Sequence, residues 1–208
     1  MSLSTYSDLK SAIGDWLNRT DLTAVIPQFI TMAEARFNRE MRVRDMLLRA
    51  EAVSDAEYLS VPADWLETYS LEMVVTATTT APPLMYIGVN EAKILKANHI
   101  QNDPRYYTMI NGSFELIPAP KADQDLILTY YQKIPALSDA APTNWLMTKS
   151  PDLYLYASLL NAAPYLKNDE RIQVWAAGMS DVMEKMHMES ERAMRPTVQL
   201  TARRRGFM

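Results

Sequence analysis

Tyr106-Tyr107-Thr108-Met109-Ile110-Asn111-Gly112-Ser113-Phe114-Glu115-Leu116-Ile117 is the stretch that decides the fold. Asn-Gly is a preferred pair for a two-residue type I′ turn, because both central residues need positive φ and these two tolerate it. Five residues of strand character stand on each side, so the segment predicts a tight antiparallel hairpin. Asp103-Pro104 marks a turn before it, and Pro118 and Pro120 end it, since proline cannot continue a ladder. Downstream, Leu126, Leu128 and Tyr130 alternate with Ile127, Thr129 and Tyr131 over residues 126–132. Both faces are apolar or aromatic, which predicts a central strand. Upstream, Tyr58-Leu59-Ser60-Val61 reads as a short strand stopped by Pro62-Ala63-Asp64. Residues 71–80 alternate in part and are rich in Val and Thr, as strands are. Pro82 and Pro83 punctuate them, residues 84–87 form another short strand, and Asn90 caps a small helix to about Asn98.

The flanks change period. Thr5 followed by Asp8 resembles a capping box, with Asp in place of Glu or Gln. Tyr6, Leu9, Ile13, Trp16 and Leu17 then follow helical spacing. After a polar break at residues 18–21, a second helix carries Ile26, Phe29, Ile30, Ala33, Phe37 and Met41 on one face. Pro27 fits its first turn, where a missing N–H costs little, and Arg42 and Arg44 sit where cations complement a helix C-terminus. Ser150-Pro151-Asp152 starts another helix, apolar nearly all round, which must be buried on most sides. Pro164 kinks or ends it. Asn168-Asp169-Glu170 opens the last helix, with Ile172, Trp175, Ala176, Met179, Val182, Met183 and Met186 as its stripe and Pro196 as its limit.

The expected fold class is therefore α+β. Residues 1–50 and 145–196 form a helical bundle, residues 53–140 an inserted, mainly antiparallel β unit, and residues 197–208 a basic tail. Strands alternate with turns and not with long helices, which argues against a parallel doubly wound sheet.

Composition narrows the function. The 208 residues are 48% hydrophobic, enough for a sizeable core. Cysteine is absent, which removes disulfides, thiolate metal sites and cysteine nucleophiles together. A formal net charge of −4 disfavours a broad nucleic-acid grip but allows a mildly acidic surface past which DNA slides. Five glycines disfavour phosphate loops and dinucleotide folds. Fourteen methionines serve as core filling or as adaptable apolar surface. No leader pattern and no stretch of roughly 18 apolar residues is present, so the expectation is a soluble protein made in the cytoplasm, with no membrane contact.

The sequence offers little chemistry. His99 reads as a solvated loop residue. Glu184, His187 and Glu191 share one side of the last helix, half of a carboxylate–histidine metal site, but no second Glu-x-x-His supplies the other half. Asp64 and Glu67, flanking Trp65-Leu66, are the best carboxylate pair for glycoside cleavage. Their simpler reading is a turn acid and an exposed edge. No nucleophile elbow is present. We expect no catalytic, cofactor or metal site. The alternatives are a peptidoglycan hydrolase activity on Asp64 and Glu67 or on acids of the last helix, and a DNA-packaging factor with salt-dependent DNA affinity.

Two features point to partners. The helix from Asp152 carries more apolar surface than one intramolecular neighbour can cover, and the last helix adds a Met-bearing face. Tyr154, Leu155, Leu159, Met183 and Met186 are the expected subunit-interface residues. The tail residues Arg203, Arg204 and Arg205 are solvated, or touch DNA phosphates, or dock on an acidic partner with Phe207 as anchor.

Three runs carry a resemblance. The first is Tyr6-Ser7-Asp8-Leu9-Lys10, Trp16-Leu17-Asn18-Arg19-Thr20-Asp21-Leu22 and Ile26-Pro27-Gln28-Phe29-Ile30, continuing through Ala33-Glu34-Ala35-Arg36-Phe37-Asn38-Arg39 and Arg42-Val43-Arg44. The second is Leu59-Ser60-Val61-Pro62-Ala63-Asp64-Trp65 with Asp103-Pro104-Arg105-Tyr106-Tyr107. The third is Tyr130-Tyr131-Gln132-Lys133-Ile134-Pro135-Ala136-Leu137-Ser138, Thr143-Asn144-Trp145-Leu146 and Pro151-Asp152-Leu153-Tyr154-Leu155-Tyr156. In order and spacing, over residues 5–180, they resemble the head–tail adaptors of short-tailed phages. That resemblance implies a non-catalytic virion protein of the head–tail junction. It implies a twelve-subunit ring beneath the portal, which extends the DNA channel used in ejection and offers a platform to a downstream tail (nozzle) protein. It also implies a C-terminal segment that reaches up to the portal, and DNA that passes without sequence-specific binding. The charged faces permit a monomer when the chain is free of its portal.

Overall fold

The computed structural model describes residues 3–54, 56–76, 79–98, 103–120, 124–166 and 170–195. Helix α1 (Tyr6–Leu17) opens on the capping box read from the sequence: the Asp8 amide donates to Thr5 Oγ1 at 3.1 Å, and the Thr5 amide donates to the Asp8 carboxylate at 3.1 Å. It stops at Asn18, whose left-handed backbone (φ 52°) turns the chain. Helix α2 (Ile26–Glu40) has proline in its first turn and ends where Arg42 donates to the free carbonyls of Asn38 and Met41. The chain then enters the β unit earlier than expected. Strand β1 spans Leu47–Ser54, so the helical segment ends before residue 47 and not at 50. Its Leu, Ala, Arg and Glu favour helix, and pairing along the whole of its length with a neighbouring strand overrides that preference.

Two four-stranded sheets follow. The first has the order β1, β8 (Gln124–Gln132), β3 (Trp65–Thr76), β4 (Thr79–Thr80), and the second the order β2 (Tyr58–Ser60), β7 (Ser113–Ile117), β6 (Tyr106–Ile110), β5 (Met85–Tyr86). All described pairings are antiparallel except β5 with β6. The hairpin turn has both central residues at positive φ, 50° at Asn111 and 72° at Gly112, as a type I′ turn requires. Strand β8 is central, as its two apolar faces predicted. Strand β3 begins at Trp65, six residues before the alternation becomes visible. Irregularities between Trp65 and Glu67 and between Thr68 and Ser70 each insert a residue and shift the period. The inserted Tyr69 stands exposed, edge-on to Tyr131 with ring centroids 6.2 Å apart.

The two sheets share a core of Leu71, Met73, Leu84, Phe114, Leu116, Leu126, Leu128 and Tyr130. Helix α3 (Val89–Asn98) packs Ala92 against Ile87 and Ile117 in a smaller cluster. Lys96 on α3 is held by Glu57 and Glu115. Burial lowers its proton affinity, but the two carboxylates outweigh burial and raise it above the ordinary lysine range.

The chain returns to the bundle through the extended residues 133–138, then α4 (Trp145–Lys149), α5 (Pro151–Asn161), a 3-10 turn at Ala163–Tyr165 and α6 (Arg171–Met194). Helix α5 is the bundle's centre, and α1, α2, α4 and α6 all pack on it. Where α5 meets α6, a Cβ at Gly178 would lie 3.0 Å from the Tyr156 ring, so glycine permits the close approach. The Ser150 side chain makes no cap bond to α5; the short helix α4, which the sequence reading did not separate, is capped instead by Asn144, which accepts from the Met147 amide at 2.8 Å. No described helix is long and apolar enough to cross a membrane.

Candidate interaction surfaces

The joint between bundle and β unit is a buried polar knot. The return segment leaves β8 with its amides pointing at α2. The Ile134 amide donates to Asn38 Oδ1 at 2.9 Å and the Leu137 amide to Glu34 Oε1 at 2.7 Å. Tyr154, fully buried on α5, donates its hydroxyl to the same Glu34 oxygen at 3.3 Å and accepts from Asn144 Nδ2 at 2.7 Å. Asn144 also donates to the Pro135 carbonyl at 2.6 Å. Burial raises Glu34 above the usual carboxyl range, against the lowering effect of the bonds from Leu137 and Tyr154. Burial likewise raises the Tyr154 phenol. Each group in the knot has a partner, as a buried polar network requires. It joins α2, the return segment, α4 and α5, so it fixes the angle at which the β unit leaves the bundle. On the outside, Arg42 adds an ion pair to Glu67 of β3 at 2.8 Å.

The residues singled out as a subunit interface lie inside this bundle. Tyr154 and Leu159 are fully buried, and Leu155, Met183 and Met186 are at most 8% exposed. The premise fails for a physical reason: α5 has four intramolecular neighbours, not one, and they cover its apolar surface. The Met-bearing stripe of α6 faces the same core. Arg203, Arg204, Arg205 and Phe207 lie outside the described residues, as does His99.

The carboxylates considered for chemistry are engaged in structure. Asp64 Oδ1 accepts the Tyr130 hydroxyl at 3.0 Å, and the Asp64 carbonyl accepts the Lys133 amide. Burial first, and then the Asp64 carboxylate, pushes the Tyr130 phenol up to about 12. Glu67 is exposed and paired with Arg42. Glu184, His187 and Glu191 line one shallow cleft with Arg36 and Glu40, about 540 Å³ in volume. Among the described residues no cluster of three metal-ligating side chains forms.

The exposed apolar side chains are elsewhere. At one end of the bundle Trp16 (45% exposed) stands edge-on to Tyr156, and its carbonyl accepts from Arg171, one turn from the exposed Val174. On the β unit, Val75 and Met85, both more than half exposed, line a cleft with Ala81, Pro82, Pro83 and Pro104. Sequence reading placed Trp16 on the apolar stripe of the first helix and Val75 and Met85 in strands, but the local pattern does not say which apolar side chains stay uncovered after packing. Pro82-Pro83 and Asp103-Pro104 were visible only as turns.

No curated protein is similar enough to this chain to register as a match. A family profile does match, over residues 4–203, so both the bundle and the β unit fall within it. The family is described as SU10 adaptor protein, and the chain belongs to it: a structural adaptor protein of phages.

Proposed function

We propose that this chain is the head–tail adaptor of its virion. Twelve copies form a ring beneath the portal, extend the DNA channel, and present a platform to the downstream tail protein. The observation that carries this reading is the family match across nearly the whole chain. The bundle with its inserted β unit is consistent with it, as is a net charge of −4, which suits a channel that releases DNA instead of gripping it. The ring needs heterologous contacts that close. With Tyr154, Leu155, Leu159, Met183 and Met186 committed to the core, the surfaces offered to neighbours are Trp16 and Val174 on the bundle end and Val75 and Met85 on the β unit.

The tail Arg203, Arg204, Arg205 and Phe207 docks on the portal in this reading, its cations on an acidic surface and Phe207 as the apolar anchor. Co-sedimentation with purified portal tests both parts. The full chain binds, and a chain lacking residues 197–208 binds more weakly with an unchanged circular dichroism spectrum. Equal binding by the truncated chain sinks the tail assignment, and no binding by the full chain sinks the adaptor reading.

A further inference from the structure

Three of the four outermost strands are short, β4 and β5 with two residues each and β2 with three, and the start of β3 that β4 leaves unpaired is interrupted by its two bulges. The fourth edge is β1, with eight. Short edges keep strands from pairing with other chains, and a long regular edge is a template for such pairing. Among the described residues no strand covers the outer side of β1. On the face turned away from the second sheet, β1 presents Leu47, Arg49, Glu51 and Val53. The Arg49 and Glu51 side chains are 61% and 74% exposed and lie 3.3 Å from each other.

We propose that β1 pairs antiparallel with β1 of a second copy, about a two-fold axis through Ala50. The charges choose this register. With Ala50 on the axis, Arg49 lies opposite Glu51 of the second copy and Glu51 opposite Arg49, while Leu47 meets Val53 and Leu48 meets Ala52, each twice. Moving the axis by one residue sets Arg49 against Arg49 in one direction and Glu51 against Glu51 in the other. An axis between residues would turn the apolar inner face of one sheet to the outer face of the other and set outward amides against inward ones. Main-chain hydrogen bonds supply the affinity and the crossed pairs the register. The contact is isologous, so it is used up after two copies. It makes a dimer of the free chain, in place of the free monomer that composition permits, and it opens when copies enter the ring, whose contacts are heterologous and lie on other surfaces.

Sedimentation velocity on the full chain at low salt tests this. Wild type sediments as a dimer. Arg49→Glu alone and Glu51→Arg alone each put like charges opposite one another and weaken the dimer about tenfold or more. Combining the two substitutions in one chain restores it. Mixing the two single variants also restores it, because the acidic strand of one meets the basic strand of the other. Both positions are exposed, and melting curves matching wild type establish that the variants fold. A wild-type monomer at every concentration, single variants that dimerise like wild type, or a mixture that does not associate would each overturn the proposal.

Discussion

The bundle and the β unit solve burial in different ways. Among the described residues, 28 buried apolar side chains form the bundle's single cluster, against eight and three in the two clusters of the β unit. The bundle closes on itself and seals its one polar knot inside. The β unit divides its core, bulges its longest strand twice, and leaves Val53, Val75, Met85 and Tyr86 more than half exposed. The bundle commits most of its apolar surface to itself, and the β unit leaves more of its own exposed. This also removes the simplest sequence argument for assembly, since the most apolar helix, α5, is the one with nothing left to offer.

The largest effects should come from the two cores. Phe37 is fully buried and stands edge-on to Tyr154, with ring centroids 5.2 Å apart. Phe37→Ala should cost about 3–5 kcal/mol in urea unfolding. Phe114, equally buried, meets the rings of Trp65 and Tyr107. Phe114→Ala should cost a similar amount, but amide exchange should quicken first in β3, β7 and β8 while α1, α2 and α5 stay protected. Exchange that quickens equally everywhere would merge the two regions into one cooperative unit and end the distinction.

Next comes the knot. Glu34→Ala strands the Leu137 amide and the Tyr154 hydroxyl and should cost roughly 1–3 kcal/mol. Its pH dependence has a definite sign. Burial raises the Glu34 carboxyl in the fold, while in the unfolded chain it titrates in the ordinary range. Between the two values the folded chain holds a proton that the unfolded chain releases. The stability linked to Glu34 is therefore fully present below the ordinary range and is lost as pH rises through the raised value. Glu34→Gln should remove that slope; an unchanged slope in urea melts across this window would place the titration elsewhere.

Smaller still is the hairpin. Gly112→Ala forces a Cβ into a left-handed backbone and should cost about 1 kcal/mol, read as a lower melting temperature. A neutral result would mean that the turn relaxes without the β unit. The smallest effect concerns the hydrolase alternative. Wild type, Asp64→Asn and Glu67→Gln should all leave peptidoglycan uncleared in a turbidity assay, and clearing lost in either variant would install a catalytic pair beside Trp65.

Periodic elements were legible in the sequence. The capping box of α1, the stripe of α2, the Asn111-Gly112 turn and the central place of β8 all follow from local chemistry that tertiary structure had no reason to overrule. Elements whose pattern is interrupted or disguised were not. Strand β1 is written in helix-forming residues and exists through its pairing with β8. The start of β3 is hidden by two inserted residues. The candidate surfaces were the least legible. A run of apolar residues says that something covers a helix, and only the packing of α1, α2, α4 and α6 around α5 says that the cover is the chain itself.

The ring on the portal is what we propose for this phage adaptor protein, and electron microscopy of the protein mixed with its portal tests it. A closed ring of added density coaxial with the portal, twelvefold in class averages and with the DNA channel continuing through it, is the expected result. Portal particles without added density, or with single copies bound off the axis, would contradict it.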